Sequence, residues 1–172
     1  MDVLHIIKTD HDRIRQVLDS FELLNGVQAR RKAFPELSRE IETHILLEEG
    51  YLYPEIADLF SGSQILVDIG RACHAVISKT MKSLDKALDR PSSEQDLADK
   101  RFAELKEQIL KHFQSEEEQM MPRVRQLITT QEREDLGQVF ADAKDLATKG
   151  ELTLADVSVP AGKKVEKRRK RA

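Results

Sequence analysis

Tryptophan is absent from this chain, cysteine occurs once, and glycine and proline occur seven and five times in 172 residues. The lone Cys73 excludes an internal disulfide framework and suits a reducing compartment. Few helix breakers beside many Leu, Ala, Glu, Lys and Arg residues favour helix. No run approaches the roughly 20 apolar residues of a membrane span. Met1-Asp2-Val3 lacks the cationic start of a signal peptide. The expectation is a soluble, cytoplasmic protein with one core, over residues 1–150.

Charge is distributed unevenly. Residues 163–171 read KKVEKRRKR and hold seven of the 28 cations and one of the 31 anions, leaving a body of net charge −9. Helical periodicity stops after Gly150, so residues 151–172 are read as a disordered basic tail. The tail has neither interleaved aromatics nor a folded DNA-reading motif. It is read as solvated, with nucleic-acid contact limited to non-specific attraction.

Apolar residues recur at helical spacing. Leu4, Ile7, Ile14, Leu18 and Phe21 predict a helix over 3–24, stopped by Asn25-Gly26. Leu37, Ile41 and Tyr51 share a stripe in a helix over 29–59, which Pro54 kinks or ends. Val67, Gly70, Ile77, Met81, Leu84 and Leu88 mark a helix over 64–89. Ser92-x-x-Gln95 resembles a capping box for a fourth helix carrying Phe102, Leu105 and Ile109 and reaching Pro122. Thr129-x-x-Glu132 caps a short fifth helix ending near Gly150, with Leu136, Val139, Phe140, Ala143 and Leu146 as its apolar face. Short links between four long helices predict an all-α, up-down-up-down four-helix bundle.

Six polar residues occupy the stripes where Leu or Ile is expected. His44-x₃-Glu48-Glu49-x₄-Pro54 recurs 68 residues later as His112-x₃-Glu116-Glu117-x₄-Pro122, and each copy has an isolated histidine upstream, His11 and His74. The i,i+4 spacing stacks each His and Glu on one helix face. Four imidazoles and two carboxylates facing one interior form a ligand set for two transition-metal ions. Fe, Zn, Mn and Ni all suit that set.

These residues carry a resemblance. Thr9-Asp10-His11-Asp12, His44 to Pro54, His74 and His112 to Pro122 resemble the hemerythrin-like HHE cation-binding family over about residues 3–128. The resemblance implies a non-haem di-iron centre, two iron ions joined by an oxo or hydroxo bridge. It implies terminal ligands at His11, His44, His74 and His112, with Glu48 and Glu116 bridging. Oxygen carriers of the family have a second histidine four residues before the equivalent of His74, where this chain has Gly70. Their last carboxylate is an Asp five residues after its His, whereas Glu116 is four after His112, the spacing of iron-sensing and stress-response relatives. Gly70 is therefore expected to leave an extra open coordination position, favouring reaction with O₂, peroxide or NO over reversible O₂ carriage.

The remaining polar residues have plainer readings. His5 lies off the His11 face and is read as a surface residue. Glu49 and Glu117 are read as exposed, or as carboxylates that orient ligating histidines. Tyr51 is read as a packed core tyrosine, Cys73 as a small buried residue, and Met81, Met120 and Met121 as core filler. The expected function is iron binding and the handling of a small oxidant in a stress response, with peroxide or NO consumption as the candidate activity. The alternatives are a non-enzymatic iron or oxygen sensor and an O₂ store.

Overall fold

The computed structural model describes residues 1–57, 59–91 and 94–152. It is all-helical, with no strand among the described residues. Helix α1 (Val3–Glu22) starts at Asp2, whose carboxylate accepts the Leu4 amide at 2.9 Å. Gly26, at φ 84°, turns the chain into α2 (Val27–Leu47). Helix α4 (Ser63–Leu88) follows Gly62, at φ 93°. Helix α5 is Gln95–Ser115. The Ser92 capping box falls outside the described residues. Helix α7 (Thr130–Thr148) opens with the expected capping box, in which Thr129 and Glu132 satisfy each other's backbone amides.

The long helix expected over 29–59 is not continuous. Regular α-helix ends at Leu47, a π-helical turn spans Glu48–Leu52, and α3 (Tyr53–Ile56) follows. The second repeat does the same: a π turn spans Glu116–Met120, followed by α6 (Met121–Leu127). Pro54 and Pro122 sit in the first turn of α3 and α6, where a missing N–H is tolerated. A proline cannot donate to the carbonyl four residues back, and its ring crowds that carbonyl. The chain widens by one residue instead, so the Tyr53 amide bonds to Glu48 and the Met121 amide to Glu116, five residues back.

The stripes on α1, α4 and α5 are buried as expected, and so are Leu37, Ile41, His44 and Glu48 along α2 and its π turn. The apolar residues fall into two clusters. One contains Ile14, Ile41, Ile77, Ile109 and Phe113; the other contains Ile7, Leu52, Tyr53, Val67 and Met120. Along α1 and α4 the chain passes from the second cluster to the first, and along α2 and α5 it passes back. His11, His74 and Glu116 lie between the clusters in sequence, and His44, Glu48 and His112 lie within two residues of a cluster's edge. Met81, Met120 and Met121 are core residues. No helix among the described residues is long and apolar enough to cross a membrane.

Helix α7 packs on α1 and α2. Phe140 and Ala143 enter the second cluster, with Leu136 and Ala147 packed against it. Val139 and Leu146, expected on this face, are 44% and 40% exposed. Each sits one residue, about 100° of helix rotation, from the 136–140–143–147 stripe. Arg133 is buried and donates to Asp2 Oδ2 at 2.7 Å and to the Ile128 carbonyl. Lys144 pairs with the buried Asp10 carboxylate. Gly137 lets the helix approach the N-terminal backbone, because a Cβ there would lie 1.9 Å from the Met1 carbonyl oxygen. Gly137→Ala gains about 1 kcal/mol of helix propensity, but is expected to lose about 1–3 kcal/mol to overpacking. A net lower midpoint in urea unfolding checks this; a higher midpoint would contradict the close approach.

Candidate metal centre

The structure brings all six sequence-predicted residues into one buried layer. They form two groups whose ligand atoms lie within 4.8 Å of one another: His11, His44, Glu48 and Glu116, and then Glu48, His74 and His112. Glu48 belongs to both. Its Oε1 is 3.5 Å from His44 Nε2, and its Oε2 is 3.2 Å from His74 Nε2 and 3.7 Å from His112 Nε2. Glu116 Oε2 is 3.3 Å from His11 Nε2 and 3.5 Å from His112 Nε2.

Outer groups orient the rings. Glu117 accepts from His11 Nδ1 at 2.8 Å, and Glu49 accepts from His74 Nδ1 at 2.9 Å. Of the two readings given for these glutamates, orientation of the histidines is the one the geometry shows. Each bond puts a proton on Nδ1 and leaves Nε2 facing the layer as an acceptor or ligand atom. Arg15 anchors Glu117 at 2.8 Å and lies over the Phe113 ring. Phe113 stacks on His11 with ring centroids 3.9 Å apart. His5 is exposed, as expected.

Sequence reasoning missed Tyr53 and chose Tyr51. The α-helical count from Glu48 selects Tyr51, but the π turn brings Tyr53 to the inner face. Tyr51 is half-buried, whereas Tyr53 is fully buried. The Tyr53 hydroxyl donates to Glu116 Oε1 at 2.9 Å and lies 3.4 Å from Glu48 Oε2. Its ring stacks on His74. A proline after a predicted ligand was the available signal, since it calls for the extra residue.

The space at Gly70 is shared between the Tyr53 phenol and a small cavity. A Cβ at 70 would lie 2.3 Å from the Tyr53 hydroxyl oxygen and 2.7 Å from its Cζ. The glycine makes room for the phenol. Cys73 is half-buried and its thiol shares a hydrogen bond with His112, so it is more than filler. A cavity of about 20 Å³, enough for one water-sized molecule, is lined by Leu66, Ile69, Gly70, Cys73, His112, Ser115, Glu116 and Met120.

Electrostatics prepare the layer for a cation. Burial holds His44 well below the ordinary histidine value, so its ring is neutral. Burial pushes the Glu48 carboxyl up, but His44, His112 and His74 together pull it well below the usual range. Burial also opposes the charged form of His112, yet Glu116, Cys73 and Glu48 raise it to about 10. Burial and the Glu48 and Glu116 charges keep the Tyr53 phenol protonated. Four inward-facing atoms have no hydrogen-bond partner: His11 Nε2, His44 Nε2, Glu48 Oε1 and Glu116 Oε2. A buried group left so costs about 1–3 kcal/mol. A cation satisfies all four, so the residues fit a metal ion.

Histidines and carboxylates gathered this way at the centre of helices are the donor chemistry of a metal-binding bundle. The chain belongs to the family described as the hemerythrin HHE cation-binding domain, whose model matches residues 2–124. Neither the curated proteins nor the solved structures include a match to the chain. Helix α7 lies beyond the matched residues.

Two outcomes follow from this geometry. Gly70→Ala is expected to destabilise the chain by about 1–3 kcal/mol, outweighing its gain in helix propensity, and Tyr53→Leu in the same chain recovers part of the loss. A double-mutant cycle measures the coupling; additive effects would contradict the contact. His112 charges more readily folded than unfolded, so its contribution to the metal-free chain is full below about 6.5 and is lost as pH rises through about 10. A metal needs the neutral ring. Zinc uptake at pH 7 should therefore release protons and tighten as pH rises, as calorimetry in buffers of different ionisation heat would show. Uptake without proton release would contradict the assignment.

Proposed function

We propose that the chain is a non-haem di-iron protein that handles a small oxidant, O₂, peroxide or NO, in a stress response. The observation that carries this reading is the pair of donor groups sharing Glu48, with four buried ligand atoms that a cation would satisfy. The alternating passage of α1, α2, α4 and α5 between two apolar clusters supports an up-down-up-down four-helix bundle over residues 1–150, with α7 as the added helix. His11 and His44 would hold one iron and His74 and His112 the other, with the Glu48 and Glu116 carboxylates shared between them. An iron pair held there would supply electrons and Lewis acidity for a small oxidant.

The chain's own residues do the rest. Glu49 and Glu117 fix the tautomers of His74 and His11. Phe113 and Tyr53 hold ring planes by stacking. Tyr53 keeps a proton at its hydroxyl beside both carboxylates. The two apolar clusters exclude bulk water from the layer. The small cavity beside His112 and Glu116, with room for about one water-sized molecule, suits a very small ligand better than an organic substrate.

A sensor without turnover is the second reading. The same orphaned atoms favour it, because metal occupancy then governs folded stability by mass action. Consumption of peroxide or NO by the iron-loaded chain separates the two; a chain that consumes neither, yet melts far lower without metal, is a sensor.

Anaerobic reconstitution with ferrous iron should saturate at two ions per chain. Glu48→Ala should impair both positions, and His5→Ala neither. Saturation at one iron would overturn the paired centre, and saturation at none would overturn the metal reading.

A further inference from the structure

The two donor groups differ in what satisfies them without an ion. Every member of the first group, His11, His44, Glu48 and Glu116, contributes at least one buried atom that lacks a hydrogen-bond partner. In the second group, which shares Glu48, the imidazoles of His74 and His112 are already bonded. His74 Nε2 and His112 Nε2 lie 2.9 Å apart, close enough for one ring to donate to the other. The Tyr53 hydroxyl donates to Glu116 Oε1 at 2.9 Å, and lies 3.4 Å from Glu48 Oε2 and 3.5 Å from His74 Nε2.

The sequence repeat shows the source of the difference. Tyr53 has Met121 as its counterpart 68 residues on, and methionine has no O–H to donate. Gly70, which admits the phenol, has Ile7 as its counterpart 63 residues earlier, the offset that relates His11 to His74. Ile7 and Met121 both belong to the second apolar cluster. The repeat is therefore symmetric in its six main donors and asymmetric in what surrounds them.

We infer that the chain loads two divalent transition-metal ions in a fixed order. The first enters the His11–His44–Glu48–Glu116 position and is held tightly, because nothing has to be broken to admit it. The second enters the Glu48–His74–His112 position. It must break the contact between the two imidazoles and displace the Tyr53 hydroxyl that lies beside Glu48 Oε2 and His74 Nε2, so it binds more weakly and exchanges. The inference rests on the metal-binding reading. It adds a threshold to it: at low metal supply the chain carries one ion, and only a higher supply completes the pair.

The test is titration of the metal-free chain with cobalt(II) against a chromophoric chelator, read by the cobalt absorption bands. Wild type should show two steps separated by about tenfold or more, the scale on which outer-shell partners alter metal affinity. The first step should give most of the rise in melting temperature. His74→Ala should lose only the second step. Tyr53→Phe removes the hydroxyl beside Glu48 Oε2 and His74 Nε2 and should narrow the gap. Two equal steps in wild type, loss of the first step in His74→Ala, or an unchanged gap in Tyr53→Phe would overturn the order while leaving metal binding intact. No cobalt uptake at all would overturn the metal-binding reading itself.

Discussion

A buried imidazole or carboxylate must find a partner, and at the centre of this bundle the partners are one another or an ion. Six such groups replace aliphatic residues in a layer between two apolar clusters. Hydrogen bonding among themselves cannot satisfy them all, as His11 Nε2, His44 Nε2, Glu48 Oε1 and Glu116 Oε2 show. The apolar clusters make the layer dry, and dryness raises the cost of every unmet bond. Stability and cation affinity are thus two expressions of one arrangement.

The two prolines are part of that arrangement. Each follows a Glu that faces the layer, and a π turn beginning at that Glu accommodates each. The wider turn changes which residue comes next to the inner face. In one repeat that residue is Tyr53, which gives the layer a proton donor. In the other it is Met121, which extends the apolar cluster. A single backbone device, repeated, yields two unlike surroundings because the side chains delivered differ.

Much of this was legible in the sequence. Periodicity located the helices to within a few residues, and placing His11, His44, Glu48, His74, His112 and Glu116 on the stripes was enough to bring them together. Glu49 and Glu117 were legible as orienting groups because a residue beside a ligand points to its flank. What periodicity could not show was a change of period. Counting 3.6 residues per turn past Glu48 selected Tyr51 over Tyr53. It also gave no sign that Gly70 seats a phenol. Val139 and Leu146 failed for another reason: hydrophobicity in a short peripheral helix does not identify the inward stripe when the face it covers is small.

The central claim is that this layer is a two-ion centre built on a shared Glu48. Anomalous diffraction at the iron edge, on crystals of the reconstituted chain, tests it most directly. The account predicts two peaks in the buried layer, one beside His11 and His44 and one beside His74 and His112, with Glu48 touching both. A single peak, or iron found only on exposed carboxylates, would contradict it.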